Sequence, residues 1–420
     1  MNLTKKTYPA ACAKSFVRFS LLTVLFATVS TWAEGFRDST IGAFDLGRSG
    51  GRVAQVDDAT AVQNNPANLV DVTNTEAQLT PSVIYINVDY KAPTGESAST
   101  IHPVKMLPNI FASIPVNNRM VAGLGVTVPY GLGNQWNKGS SAYQPGGPLY
   151  NAANFGKLTT INVNPTLAYK LCDHLQIGVG LDVMWSDLEI RQLAFPVSPS
   201  QSAEVHGDSD GIGVGGNLGI TWKIDDRQRL ALTYRSTMTV DYSGTARLEN
   251  FPGTPSTSFG SQIKYPNIVQ LGYGIALTDK VRLESDIEWV QFSMFKNLGI
   301  TTGTLPAVGN LTQTIPENWH DTFTVGFGGD WKFADHWVLR GGYQFFESPV
   351  PDSTLSPTIP DANQNVFTIG LGWHGRHSSL EAAYGLDFYN DRNITDPANP
   401  IHGKYSFNVH LISLAYNYAF

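Results

Sequence analysis

From about Glu76 to the end of the chain, apolar and polar residues alternate. In "VRLESDIEWV" (Val281–Val290), Val281, Leu283, Ile287 and Trp289 share one face, while Arg282, Glu284, Asp286 and Glu288 share the other. "DTFTVGFGGDWKF" (321–333) and "LEAAYGLDF" (380–388) repeat the pattern. A period of two predicts strands. The pattern places them near 76–90, 104–115, 119–130, 157–171, 175–190, 208–224, 229–242, 261–277, 281–296, 317–333, 337–347, 362–373, 378–390 and 405–420. That makes fourteen, an even number.

Three features separate a membrane barrel from a soluble sandwich. The segments run to roughly 10–15 residues, where soluble strands average about five or six. Aromatic residues (Tyr85, Tyr90, Trp222, Trp289, Trp331, Trp337 and the closing Tyr416, Tyr418 and Phe420) crowd the strand ends, as in the girdles where a barrel wall meets the membrane interface. Connections alternate between short turns, such as "VNNR" (116–119), "CDH" (172–174) and "TDK" (278–280), and long stretches rich in Gly, Pro, Ser and Asn, as at 131–156, 191–207, 243–260, 297–316 and 348–361. The reading is all-β: a closed fourteen-stranded antiparallel transmembrane barrel spanning 76–420, because every strand edge must be paired in lipid.

The start of the chain fits export. Lys5, Lys6, Lys14 and Arg18 accompany the short apolar run "FSLLTVLFATVS", and "TWA" offers small residues for cleavage after Ala33. Residues 1–33 therefore read as a signal peptide. Without them the chain carries 24 basic and 35 acidic residues, a net charge of −11, which excludes nucleic acid as a natural partner. Cys172 is then the only cysteine, so neither an internal disulfide nor a cysteine metal cluster is expected.

A fourteen-stranded barrel is too wide for its own side chains to fill. Residues 34–75 do not alternate; they are rich in glycine and small residues, with scattered apolar positions, and are expected to fold into the lumen as a hatch. Here "GF…G…LGR…G…DDA…NNPANL" resembles the N-terminal signature of the FadL family of outer-membrane long-chain fatty-acid and hydrophobic-compound transporters. Gly35, Phe36, Gly42, Leu46, Gly47, Arg48, Asp57, Asp58, Ala59, Asn65, Pro66 and Ala67 fit; Asn68 stands where the family usually has glycine. "YGLGNQW" (130–136), "ESPVPDSTLSPTIPD" (347–361) and the closing "NYAF" add to the resemblance. It implies a hatch whose Asn-Pro-Ala turn borders an inward kink in the third strand, opening a lateral gap. Gly123, Gly125 and Pro129 would weaken that strand, since glycine tolerates bulges and proline lacks a donor. Asn65, Pro66, Ala67, Gly123 and Gly125 are thus the expected gate, with Ala67 lying under the wall at Gly123–Gly125.

No enzymatic constellation emerges. There is no zinc-type histidine pair, no Gly-x-Ser-x-Gly elbow and no P-loop, and "GIGVGGNLG" (211–219) sits inside a strand with no following helix. The expectation is a non-enzyme with no cofactor and no metal. It would be a monomer in contact with outer-membrane lipid and lipopolysaccharide, passively moving a hydrophobic small molecule such as a long-chain fatty acid; aromatic or aliphatic hydrocarbons are the alternative cargo, ahead of a general porin or a lipid hydrolase. Such a transporter needs an apolar landing site, with Leu132, Trp136, Tyr143, Leu149, Phe195, Leu248 and Phe251 as candidates, although an aromatic loop serves equally well as a packed lid. Channel candidates on the hatch are Phe36, Ile41, Phe44, Leu46 and Arg48. A carboxylate ligand would also need a cation, with Arg48, Arg52 and Arg191 as candidates.

Overall fold

The computed structural model describes residues 35–198 and 201–420; the expected signal peptide lies outside the described residues. Fourteen antiparallel strands form the wall: β1 (Glu76–Leu79, Ser82–Lys91), β2 (Ser97–Ser99, Val104–Leu107, Ile110–Asn117), β3 (Met120–Thr127, Gly131–Gln135), β4 (Ala153–Cys172), β5 (Leu175–Ser198), β6 (Gln201–Lys223), β7 (Gln228–Arg235, Met238–Glu249), β8 (Ser256–Tyr265, Ile268–Thr278), β9 (Val281–Val290, Asn297–Thr302), β10 (Gln313–Pro316, Thr322–Ala334), β11 (Trp337–Phe346), β12 (Gln364–His374), β13 (Ser378–Tyr389, Arg392–Ile394) and β14 (Gly403–Ala419). Each pairs with the next. β14 returns to β1 in a register running from Glu76 opposite Ala419 to Lys91 opposite Lys404, so the sheet closes.

The alternation is inverted relative to a soluble protein. On β10, Phe323, Val325, Phe327 and Trp331 are exposed, whereas Thr322, Thr324 and Asp330 are buried. On β9, Glu284, Asp286 and Glu288 are buried too. The apolar side of each strand therefore faces outward and the polar side faces the lumen, as lipid requires.

The expected long connection at 191–207 is corrected: β5 and β6 continue through it as one hairpin, with Gln201 opposite Ser198 and two register shifts in Gln201–Glu204. Its residues are as polar as those of a loop, but neighbouring strands supply backbone partners, with Glu204–Asp210 pairing with Ser243–Glu249 of β7.

Inside the barrel lies the N-terminal segment. It holds two short helices, α1 (Ala43–Gly47) and α2 (Ala61–Asn64), and a 3-10 turn, Pro66–Asp71. α1 packs against β12, β13 and β14, and the 3-10 turn against β3, β4, β5 and β6. The wall makes room with glycine. A Cβ on Gly342 would reach the Ser49 backbone nitrogen at 2.7 Å, and one on Gly370 would reach Gly47 Cα at 2.9 Å. The segment fills the lumen as a hatch.

Candidate functional site

The hatch is fastened by charge. Arg48, wholly buried, pairs with Asp330 (2.9 Å) and Glu284 (3.3 Å) and bonds Gln55 (3.2 Å). Arg282 bridges Asp330 (2.8 Å) and Asp57 (2.6 Å). Asp71 receives Lys223 (2.7 Å) and Arg229 (2.6 Å). Removing a partner from the wholly buried Arg48 pairs leaves an uncompensated charge, typically costing about 3–5 kcal/mol, while the partly exposed Asp57 and Asp71 pairs contribute less. The acidic stretch "DDA" now has a purpose: Asp57 takes Arg282, and Asp58 Oδ1 accepts the Thr60 N–H (2.9 Å) just before α2.

The Asn-Pro-Ala segment is a rigid turn. Asn65 caps the 3-10 turn by accepting the Ala67 N–H (3.1 Å), with Pro66 at its first position, where a missing donor costs nothing. Asn65 Nδ2 also donates to the Val53 carbonyl (2.8 Å) and to Thr221 Oγ1 (2.9 Å). Asn68, the departure from the expected signature, joins the same knot: it donates to the Val53 carbonyl (3.1 Å) and accepts from Thr221 Oγ1 (2.7 Å).

Two expectations about the gate need correction. The Asn-Pro-Ala backbone does not lie under Gly123–Gly125; it lies under Gly178 of β5 and Gly219 of β6, where added Cβ atoms would reach Ala67 N at 2.5 and 3.1 Å. Gly123 and Gly125 instead admit hatch side chains, Val62 and Leu69 beneath the first and Val62 beneath the second. Nor do those glycines bend β3, since both keep partners on β2 and β4. The break falls just beyond them. β2–β3 pairing stops at Ile110 opposite Val126 and resumes at the Thr100–Trp136 bridge. In between, the hatch takes over as partner: Asp38 N–H donates to the Pro129 carbonyl (3.0 Å) and Gly131 N–H to the Phe36 carbonyl (2.9 Å). Pro129, lacking a donor, sits where the ladder is lost.

Phe36 hangs from this junction into an aromatic cage. Its ring centroid lies 6.1 Å from Tyr130, 5.7 Å from Tyr265, 6.0 Å from Phe292, 5.5 Å from Phe295 and 5.2 Å from Trp319. Gly35, at φ 66°, makes the close approach to Trp319 possible. The cage residues were not singled out in the sequence. Tyr130, Phe292, Phe295 and Trp319 sit where β3, β9 and β10 interrupt their ladders, and Tyr265 ends a segment of β8. An interruption breaks the period of two, so alternation cannot assign these rings to a face; the nearby Pro129, Pro266 and Pro316 were the available signal.

The other channel candidates separate. Ile41 and Phe44 belong to an apolar cluster with Val62, Leu69 and Phe111, and Leu46 packs with Ala383 and Ala415. Phe44 lies between two guanidinium groups, 5.5 Å from that of Arg48 and 5.2 Å from that of Arg340. The landing candidates are largely packed inward. Trp136, Tyr143, Leu149 and Leu248 are buried; Trp136 Nε1 donates to the Pro357 carbonyl (2.9 Å) and the Tyr143 hydroxyl to that of Ala153 (3.0 Å). Leu132, Phe195 and Phe251 are partly buried against the same cluster.

Among the head-group candidates, Arg48 is committed to its ion pairs, and Arg191 bonds Glu189 (2.6 Å) and lies 5.0 Å from the Phe155 ring centre. Arg52 differs. Its Nη1 is buried without a hydrogen-bond partner, and it lines a cavity of ≈ 40 Å³ together with Arg37, Asp38, Asn64, Pro129, Tyr130 and Gln270. That volume holds about one or two waters. Arg37 grips Glu288 with both terminal nitrogens (2.5 and 2.7 Å). Tyr130 thus joins the cage to a small cavity that two arginines line.

The family description "Outer membrane protein transport protein (OMPP1/FadL/TodX)" matches residues 24–420. The chain belongs to this family. It is 24% identical to the "Long-chain fatty acid transport protein" of Escherichia coli K12 and 24% identical to that of Salmonella typhi, each over 97% of this chain and 99% of the relative. Among solved structures, a Pseudomonas aeruginosa FadL homologue superposes with a TM-score of 0.79 at 22% identity, over 92% of this chain and all of the other. The P. putida toluene transporter TodX gives 0.75 at 18%, over 90% and 98%. The chain is therefore a non-enzymatic β-barrel of the bacterial outer membrane, in a family that transports hydrophobic compounds.

Burial pushes the hatch carboxyls of Asp38 and Asp45 up to about 7 and that of Asp58 up to about 6. Asp45 bonds the Ile41 N–H (3.1 Å) and Asn64 Nδ2 (2.5 Å), which pull the other way without winning. Because these folded pKa values lie above the unfolded value near 4, the stability they contribute is full below about pH 4 and is lost as pH rises through about 7. Amide exchange in residues 36–65, corrected for intrinsic rate, should therefore be faster at pH 8 than at pH 5.5. Asp45→Asn should flatten that dependence; an unchanged slope would remove Asp45 from the account.

Proposed function

We propose that this protein passively carries long-chain fatty acids, or amphiphiles of similar shape, into the outer membrane. The supporting observation is the aromatic cage closed by Phe36, joined through Tyr130 to the cavity lined by Arg37 and Arg52. A tail would replace the Phe36 ring among Tyr265, Phe292, Phe295 and Trp319 while its carboxylate approached a guanidinium. The β2–β3 interruption beside Tyr130 would then be the lateral exit, reached as the Phe36–Asp38 bridge to β3 lets go. Full-length similarity to fatty-acid transport proteins agrees with this cargo. A cage with no ionisable ring other than tyrosine also suits a hydrocarbon, so the arginines decide between the two.

Arg52→Gln tests this directly. A charge-assisted bond contributes about 1.5–3 kcal/mol, so oleate binding should weaken roughly tenfold or more. Oleyl alcohol and toluene should bind as before. Equal weakening of all three, or of none, would favour the hydrocarbon reading.

A further inference from the structure

The wall is also discontinuous between β8 and β9. β8 and β9 pair below, along Ile268–Thr278 with Val281–Val290, and above, where Phe259 to Gln262 face Thr302 to Gly299. Between these registers the 3-10 turn Phe292–Met294 occupies the line of β9, opposite 263–267 of β8. One backbone bond crosses there, Gln291 N–H to the Asn267 carbonyl (2.9 Å).

Side chains do the rest of the closing. Asn267 donates across this break to Gln291 Oε1 (2.7 Å) and is held from the β7 side by the Thr237 N–H (2.8 Å) and the Tyr234 hydroxyl (2.8 Å). Met294 Sδ accepts from Thr237 (3.5 Å) and Asn267 (3.6 Å), and a thioether is a weak acceptor. In a membrane barrel, irregular backbone persists only where protein buries it or where it lines a cavity. Here its inner side is the cage, since Tyr265, Phe292 and Phe295 surround Phe36. Tyr130, from the β3 interruption, reaches Tyr265 at 4.6 Å between ring centres. One apolar chamber therefore touches this break and the one between β2 and β3.

The outer side of the seam has two chemistries. Below it, β8 exposes Leu271 and Tyr273; at the seam it exposes Lys264, and above it Gln262. The seam thus lies where the apolar belt gives way to polar residues, the level at which an amphiphile in the outer leaflet changes from tail to head. We infer that the β8–β9 seam is a second lateral portal, through which the tail of a single-chain anionic amphiphile dissolved in the outer leaflet reaches the cage, with Lys264 at the outer lip. Met294, partly exposed, is its bolt. This rests on the cage being the ligand chamber.

The test places Met294→Cys in a Cys172→Ser background and modifies the folded protein in vesicles, so folding is unaffected. The bilayer carries palmitic acid with a diazirine in its tail. After timed illumination, mass spectrometry counts adducts on peptides containing Phe36 and on those spanning 292–294. A bulky maleimide on the introduced thiol should slow the appearance of cage adducts severalfold, a methylthio group should not, and final yields should converge. Asn267→Ala should speed their appearance about fivefold, the effect of losing about one net hydrogen bond. An unchanged early yield with the bulky adduct overturns the portal. So does an equal fall with both adducts that persists at equilibrium, which would mark a structural turn. Absence of cage adducts in the unmodified protein overturns the chamber itself, and the portal with it.

Discussion

Deleting residues 35–70 should turn a nearly silent protein into a large, stable, weakly selective pore in planar bilayers. A fourteen-stranded wall encloses a lumen that its own side chains do not fill. In this chain the filling comes from the hatch, whose Phe44, Leu46, Val53, Val56 and Val62 are all buried. The deletion also exposes Glu284, Asp286, Asp330 and Arg340 to water, which solvates them without difficulty once the lumen is wet. The strands keep their own ladder, so heat-modifiable gel mobility should still report a closed barrel. A folded deletion protein with unchanged conductance would mean that the loops above, and not the hatch, hold the pathway shut.

The second large effect separates two pairs of wall glycines. Gly178→Val should unseat the hatch, because its Cβ would strike the backbone of Pro66 and come within 2.5 Å of Ala67 N. Backbone held by the Asn65–Thr221–Asn68 knot cannot step aside, so the cost should reach or exceed the usual range of about 1–3 kcal/mol for overpacking. Gly123→Val presses on the side chains of Val62 and Leu69, which can change rotamer, and should be the milder change. Uptake of labelled oleate together with channel noise in bilayers distinguishes them: the first variant should leak ions, the second should slow uptake without leaking. Ala67→Trp belongs with the first, since Ala67 is wholly buried under β5 and β6. A quiet, transport-competent Gly178→Val protein would mean that the turn is not a fixed part of the seal.

Much of this architecture is legible in the sequence because lipid imposes it. A strand in a bilayer must alternate and must find partners on both edges. "TFTVGFGGDW" therefore announces its outward Phe323, Val325, Phe327 and Trp331 with no knowledge of its neighbours. The non-alternating 34–75 and the Asn65-Pro66 pair likewise announce a hatch and a turn, since local backbone chemistry suffices for both. Tertiary structure alone decided where the turn docks and where the wall opens. Gly123, Gly178 and Gly219 are indistinguishable as letters; what differs is the hatch atom packed against each. Arg48, Arg52 and Arg191 are equally basic, but Asp330 and Glu284 bond the first and Glu189 the third, whereas the second lies in the field of Asp38, Asp45, Asp286 and Glu288 with its Nη1 unbonded beside a cavity. Tyr130, Tyr265, Phe292, Phe295 and Trp319 come from four different strands and meet only because those strands close into a ring. Contacts between residues so distant in sequence carry no local signature, so the chamber emerges only when the barrel closes.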